Sequence, residues 1–177
     1  LGYLSVTDHA ELVAHLPDAT FVPADGLLAL ARQFKTDEEI ELLARLSRIS
    51  DRAILDSFGA VKAGDTEMDV AAVLTRSVYD QGAQQFKLMI VAPGARSPLP
   101  NVGPSTRTLV PGDVCRVEIF SIIDGYHAGV CRTAVVGEPS SDAERVYRNL
   151  VDCKHLVLDA LRPVVAARDI YGLFRAK

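Results

Sequence analysis

The chain has 177 residues, 49% hydrophobic and 24% charged, with a net charge of −4, which suits one medium domain, or a domain and part of another, with a sizeable core. Lysines and arginines are scattered with no basic block, so nucleic acid and anionic membrane are excluded as expected partners. No apolar run approaches the roughly 18 residues of a membrane span.

Leu1-Gly2-Tyr3 does not open a secretory signal, and the missing initiator Met places the natural start upstream. Residues 1–35 read as the tail of another unit, with short apolar pieces at Phe21-Val22-Pro23 and Gly26–Ala31. Thr36-Asp37-Glu38-Glu39 is a capping box, and Ile40, Leu43, Ala44, Leu46, Ile49, Ala53 and Ile54 follow at helical spacing until Gly59 and Gly64. Thr66-Glu67-Met68-Asp69 starts a second helix that carries Val70, Val73, Leu74 and Val78 on one face and ends near Gly82. Phe86–Ala92 predicts a strand, and Pro93–Arg107 a long loop rich in Pro, Gly and Ser. A third box at Ser141-Asp142-Ala143-Glu144 predicts a helix to about Leu161, and Arg168–Lys177 the start of another. A fresh helix at the end lacks strands to pack against, so the chain reads as truncated at its C-terminus. The three cysteines, Cys115, Cys131 and Cys153, are unclustered and fit a reducing, cytoplasmic setting.

Between the loop and the third box, Val117–Thr133 (VEIFSIIDGYHAGVCRT) reads as a hairpin turning at Asp124-Gly125. Pairing Ile123 with Tyr126 puts Glu118 opposite Cys131 and Phe120 opposite Gly129. Arg116, Glu118 and Phe120 then share one face with His127, Gly129, Cys131 and Thr133. A carboxylate in mid-strand on a buried face is costly unless used or paired. Glu118 is therefore the leading catalytic candidate, against pairing with Arg116 or Arg132. His127 on the same face is a second acid–base candidate, against a solvated residue beside a turn. Cys131, facing Glu118, has its thiolate disfavoured and reads as a packing residue. Arg107, Arg116 and Arg132 are open to a substrate carboxylate, with salt bridges as the plainer reading. His9, His15 and His155 carry no motif.

The segment resembles the metal-binding hairpin of the pita-bread family, which includes methionine aminopeptidase, prolidase, aminopeptidase P and creatinase. The family's D…DGY-x-x-D-x-T-R-T falls here on Glu118, Asp124-Gly125-Tyr126, Gly129 and Cys131-Arg132-Thr133. Lys35–Ile40 resembles the K-s-x-x-E-I entry to the first helix, and Gly64–Glu67 the G-x-T-E/D turn. Pro93-Gly94 and Pro104–Arg107 bracket the substrate loop, and Pro111-Gly112-Asp113 opens the ligand strand. The resemblance implies an α+β pita-bread (creatinase/aminopeptidase) fold, present as its first α-α-β half with the opening helices of the second. Residues 1–35 would be the tail of an N-terminal creatinase/aminopeptidase P-type domain, and 36–177 the N-terminal part of the pita-bread domain.

The departures fall on the chemistry. One metal-ligand position holds Glu118 and the other Gly129, which has no ligand atom; the family's P-H dipeptide is Pro100-Asn101. The resemblance thus implies hydrolysis of a C–N bond in a small-molecule or short peptide substrate, without a dinuclear metal site. Glu118 and His127 would be the catalytic residues and Asn101 a substrate contact. No cofactor is expected; a divalent metal enters only if a single-metal site is rebuilt, as in a Xaa-Pro metallopeptidase. A non-catalytic binding module is the other alternative, and the full-length protein could form a homodimer, as the family often does.

Overall fold

The computed structural model describes residues 4–176; Leu1-Gly2-Tyr3, read as no signal opening, and Lys177 lie outside the described residues. Its elements are α1 (Val6–His15), α2 (Asp25–Ala31), α3 (Asp37–Ala60), α4 (Glu67–Asp80), β1 (Gln85–Pro93), β2 (Val114–Ile123), β3 (Tyr126–Val135), α5 (Ser141–Ala160) and α6 (Ala167–Ala176). They fall into two compact units, Leu1–Leu42 and Leu43–Lys177.

Helices α3 and α4 start at their capping boxes. Thr36 N–H donates to Glu39 Oε2 at 2.7 Å, and Thr66 N–H to Asp69 Oδ2 at 2.7 Å, each answered by a bond back to the threonine hydroxyl. The third box shifts by one residue. Ser140, not Ser141, caps α5 by accepting from Ala143 N–H at 3.2 Å, since either serine of the pair could supply the hydroxyl. In the first unit, α1 and α2 are additions to the expected order. Ser5 caps α1 by accepting from Asp8 N–H at 3.0 Å, a Ser-x-x-Asp signal present in the sequence. His9 packs edge-on to Phe21.

In the second unit, β1, β2 and β3 form an antiparallel sheet in that order. The β2–β3 register runs unbroken from Val114↔Val135 to Ile123↔Tyr126, as the Asp124-Gly125 turn predicts. Both turn residues have positive φ (50° and 79°), the geometry that favours Asp-Gly in a tight hairpin. Gln84 clamps the turn: its Nε2 donates to Asp124 Oδ1 and its Oε1 accepts from Asp124 N–H, both at 2.9 Å. The register break lies in β1, between Lys87 and Met89, where Leu88 takes φ 52°.

The core sits on one side of this sheet. Cys115, Val117, Ile119 and Ser121 alternate inward along β2, with Leu46, Ile49, Ala53 and Ile54 of α3 and Val70, Leu74 and Val78 of α4 also buried. Ser50 of α3 fastens that layer to the hairpin. Its Oγ accepts from Ser121 N–H at 3.1 Å, bonds Ser121 Oγ at 2.8 Å, and donates to Ala128 O at 3.1 Å. Buried hydroxyls are satisfied here, and α3 is held in one register over the sheet.

Candidate functional site

The opposite face of β2 and β3 holds the hairpin's candidate residues. Arg116, Glu118 and Phe120 are partly buried there, and His127, Gly129 and Cys131 are open or nearly so. Neither bland partner reaches Glu118. Arg132 pairs instead with Asp51 of α3, N to O 2.8 Å, an oblique ion pair rather than an aligned hydrogen bond. Arg116 Nη2 donates to Leu99 O at 2.5 Å. Glu118 is thus a carboxylate without an ion-pair partner among the described residues.

His127 pairs with Ile122 and Glu118 with Cys131, four steps apart along the ladder. At strand rise that is about 13 Å, so the structure puts both on one face without bringing them together. Asn101 lies in the loop, exposed, with φ 46°, a left-handed conformation that Asn tolerates better than most residues. Cys131 is held above the ordinary thiol range, first by burial and then by the Glu118 carboxylate. That is the inert thiol expected opposite a glutamate.

Gly129 is a filled place rather than a gap. A Cβ built there would run into the ring of Phe120, its cross-strand partner, which lies across the glycine. Aromatic cover of a strand glycine restores the packing that the missing side chain would supply. An aspartate would need the same space. Of the two hairpin positions that the resemblance assigns to metal carboxylates, one keeps an oxygen donor and the other lies under an aromatic ring. No group of three or more His, Cys, Asp or Glu that could hold a metal occurs among the described residues. A dinuclear site needs clustered hard oxygen donors, and of the two hairpin positions only Glu118 supplies one.

A carboxylate that sequence reasoning treated only as part of a turn proves central to the loop. Glu67 is fully buried at the start of α4. Its Oε2 accepts from Ser105 N–H and Ser105 Oγ, both at 2.8 Å, and from Arg96 Nη1. Arg96 also donates to Ser105 Oγ at 2.5 Å and Gly103 O at 2.8 Å. One side chain thereby ties both ends of the 93–107 loop. The strand-like contact between Asp65–Glu67 and Arg107–Leu109 brings the two matching motifs together. Beside it, Arg107 grips Asp113 through two bonds, 2.7 and 2.9 Å, and this holds the Asp113 carboxyl below its ordinary range. Burial, reinforced by the Glu67 and Asp113 charges, pushes the Cys115 thiol up to about 11.

A cleft of about 590 Å³ lies between the Arg116 end of this face and the first turns of α5. Glu118, His127 and Asn101 are not among its lining residues.

Comparison with known proteins carries the resemblance further. Residues 41–177 match the model of metallopeptidase family M24. The peptidase YqhT of Bacillus subtilis (strain 168) is 30% identical over 168 residues, covering 94% of this chain and 48% of that relative. The solved Xaa-Pro dipeptidase from Bacillus anthracis superposes with a TM-score of 0.88 at 28% identity, over 99% of this chain and 49% of that one. Prolidase from Pyrococcus furiosus gives 0.87 at 25%, over 99% and 52%. The chain spans about half the length of the relatives it matches, and its α+β arrangement is the first half of their pita-bread fold. The chain belongs to metallopeptidase family M24.

Proposed function

We propose that the protein works as a hydrolase of the Xaa-Pro peptidase/creatinase kind, cleaving a C–N bond of a small or short peptide substrate without a dinuclear metal centre. The observation that carries this reading is the Phe120 ring lying across Gly129 on the face where Glu118 is an unpaired carboxylate. With no oxygen donor at the Gly129 position, Glu118 takes the proton-handling role and orients water; such a carboxylate contributes about 10²- to 10⁴-fold to a rate. His127 and Asn101 contact the substrate from the turn end and from the loop. Residues 36–177 are assigned to the pita-bread domain and 1–35 to the tail of a preceding one. A cytoplasmic location belongs to the same reading. It is supported by the unpaired cysteines, and no helix among the described residues is long and apolar enough to cross a membrane.

The separation of Glu118 from His127 favours one alternative, a non-catalytic binding module on the same scaffold. Two measurements decide. Elemental analysis of the purified full-length protein should find less than one tightly held divalent ion per chain; two per chain would sink the metal-free reading. Turnover of Xaa-Pro dipeptides and amidino compounds should fall at least about 100-fold in Glu118→Gln. A wild type that turns over none of them establishes the binding module instead.

A further inference from the structure

Of the three arginines open to a substrate carboxylate, two are committed to carboxylates of the chain itself, Arg107 to Asp113 and Arg132 to Asp51. Arg116 turns to the loop instead, and its Nη2 donates to Leu99 O at 2.5 Å. Arg96 makes a matching contact from within the loop, where its Nη2 donates to Gly103 O at 2.8 Å. Asn101 stands midway, two residues from each gripped carbonyl. A guanidinium on a backbone carbonyl makes a charge-assisted hydrogen bond, stronger than one between neutral groups.

Each guanidinium is itself anchored. Arg116 lies in the middle strand of the sheet, paired with Ala92 on one side and Thr133 on the other. Arg96 is held by the buried Glu67 and by Ser105 Oγ. Gly94 sets the entry to the loop: its φ is 54°, and a Cβ there would strike the Arg107–Asp113 pair. Ser97 N–H donates to Gly94 O at 2.9 Å and Leu99 N–H to Arg96 O at 3.0 Å, so the chain reaches Leu99 through tight turns. Pro100 and Pro104 restrict φ on either side of the tip. Asn101 is exposed there at φ 46°. A left-handed residue other than glycine persists where its surroundings over-determine it, and such residues gather at ligand clamps. Arg116 also sets where the tip is tied, because it is the outward residue next to Glu118 along β2, about 7 Å away at strand rise.

We propose that Arg116 and Arg96 are positioning residues that hold Leu99–Gly103 as a preformed, substrate-contacting turn with Asn101 at its tip. The substrate role rests on the hydrolase reading, while the turn itself rests on the two grips. A turn ordered before binding loses little freedom when substrate arrives, so the grips act on affinity rather than on the chemical step.

The test uses the full-length protein with alanyl-proline as substrate, and backbone ¹⁵N relaxation as a readout independent of turnover. In the wild type the order parameters of Asn101 and Val102 should match rigid backbone, about 0.85, and in Arg116→Met they should fall below about 0.6. Arg96→Lys keeps a cation for Glu67 but has no second nitrogen for Gly103 O, and should loosen Val102 likewise. In kinetics, Arg116→Met should raise KM about tenfold with kcat within about twofold, the pattern of lost uniform binding on the scale of one hydrogen bond. Arg116→Lys should recover part of that loss. Asn101→Ala should raise KM as well, and adding Arg116→Met to it should cost little more, because both changes remove one contact. A tip already mobile in the wild type, or as ordered in both arginine variants, overturns the proposal. So does a fall in kcat at unchanged KM in Arg116→Met, or fully additive costs in the double variant. A wild type inert toward alanyl-proline counts against the peptidase reading alone, and relaxation then decides whether the grips hold the tip.

Discussion

Glu67 and Glu118 are two glutamates of one compact unit with opposite surroundings. Glu67 is fully buried at a helix start, and one of its oxygens takes three donors from a loop that it closes. Glu118 sits half-open in mid-strand, and the two arginines that could neutralise it are engaged elsewhere. A buried carboxylate held through one oxygen by three donors, its Oε1 buried without a partner, is an architectural part, whereas an accessible one without partners is available for chemistry. The contrast extends to the two faces of β2. Its inward residues alternate at full burial against α3 and α4, and every departure from the family's metal pattern on the hairpin lies on the outward face.

The sharpest way to break the contrast is to remove each carboxylate in turn. Glu67→Ala strands Arg96 and Ser105 and should cost about 3 kcal/mol in urea unfolding. That is the low end for a broken buried pair, because Arg96 is 24% exposed and can turn to water. The 93–107 loop should become the first site of proteolysis. Glu118→Gln should change stability by less than about 0.5 kcal/mol, since no partner is lost. A Glu118→Gln variant as destabilised as Glu67→Ala would show that both residues are structural.

Next in size is the covered glycine. Gly129→Asp forces the Phe120 ring aside and should cost about 1–3 kcal/mol, the range for overpacking. Phe120→Ala in the same chain should recover much of that loss, because the two changes share one volume. Additive costs in the double variant would mean that the ring does not occupy the place of the carboxylate.

These pairs also mark what the sequence could and could not disclose. The hairpin register followed from Asp124-Gly125 because a two-residue turn leaves one pairing that keeps Val117 and Ile119 inward. The starts of α3 and α4 followed from boxes whose donors and acceptors lie three residues apart. The role of Glu67 was hidden because its partners stand 29 and 38 residues away, in a loop with no periodicity. Phe120 could be placed opposite Gly129, but its cover of the glycine depends on a rotamer that no pattern encodes. Likewise, Arg116 stands out only once Arg107 and Arg132 are seen to be taken. The Ser5-to-Asp8 signal of α1 was present, but ten residues in a segment read as a tail gave little periodicity to support it.

A smaller effect comes from acid. Arg107 holds the Asp113 carboxyl below its ordinary range, chiefly through the hydrogen bond between their side chains. Its contribution is therefore complete above the unfolded carboxylate value, near pH 4, and is lost as pH falls through the folded value. Asp113→Asn should cost about 2 kcal/mol at pH 7, and the cost should shrink as pH falls below the unfolded carboxylate value toward the folded one. A cost independent of pH would place the role of Asp113 in packing.

The smallest effect reads the outward face directly. Cys131 is the one exposed thiol among the three; Cys115 and Cys153 are buried. Although the residue is exposed, neighbouring atoms partly desolvate its sulfur, and its thiolate is disfavoured first by that desolvation and then by Glu118 on the facing strand. Alkylation proceeds through the thiolate, so at pH 8 the rate at Cys131 follows how far its pKa lies above that pH. Removing the carboxylate charge in Glu118→Gln leaves the burial unchanged and relieves the second cause. Labelling by iodoacetamide should then speed up several-fold, and its pH profile should move to lower pH. Cys115, pushed up to about 11 and 5% exposed, should stay protected in both proteins and serve as the internal control. An unmoved profile at Cys131 would place the Glu118 charge away from the thiol, and so away from the face where it is assigned its chemistry.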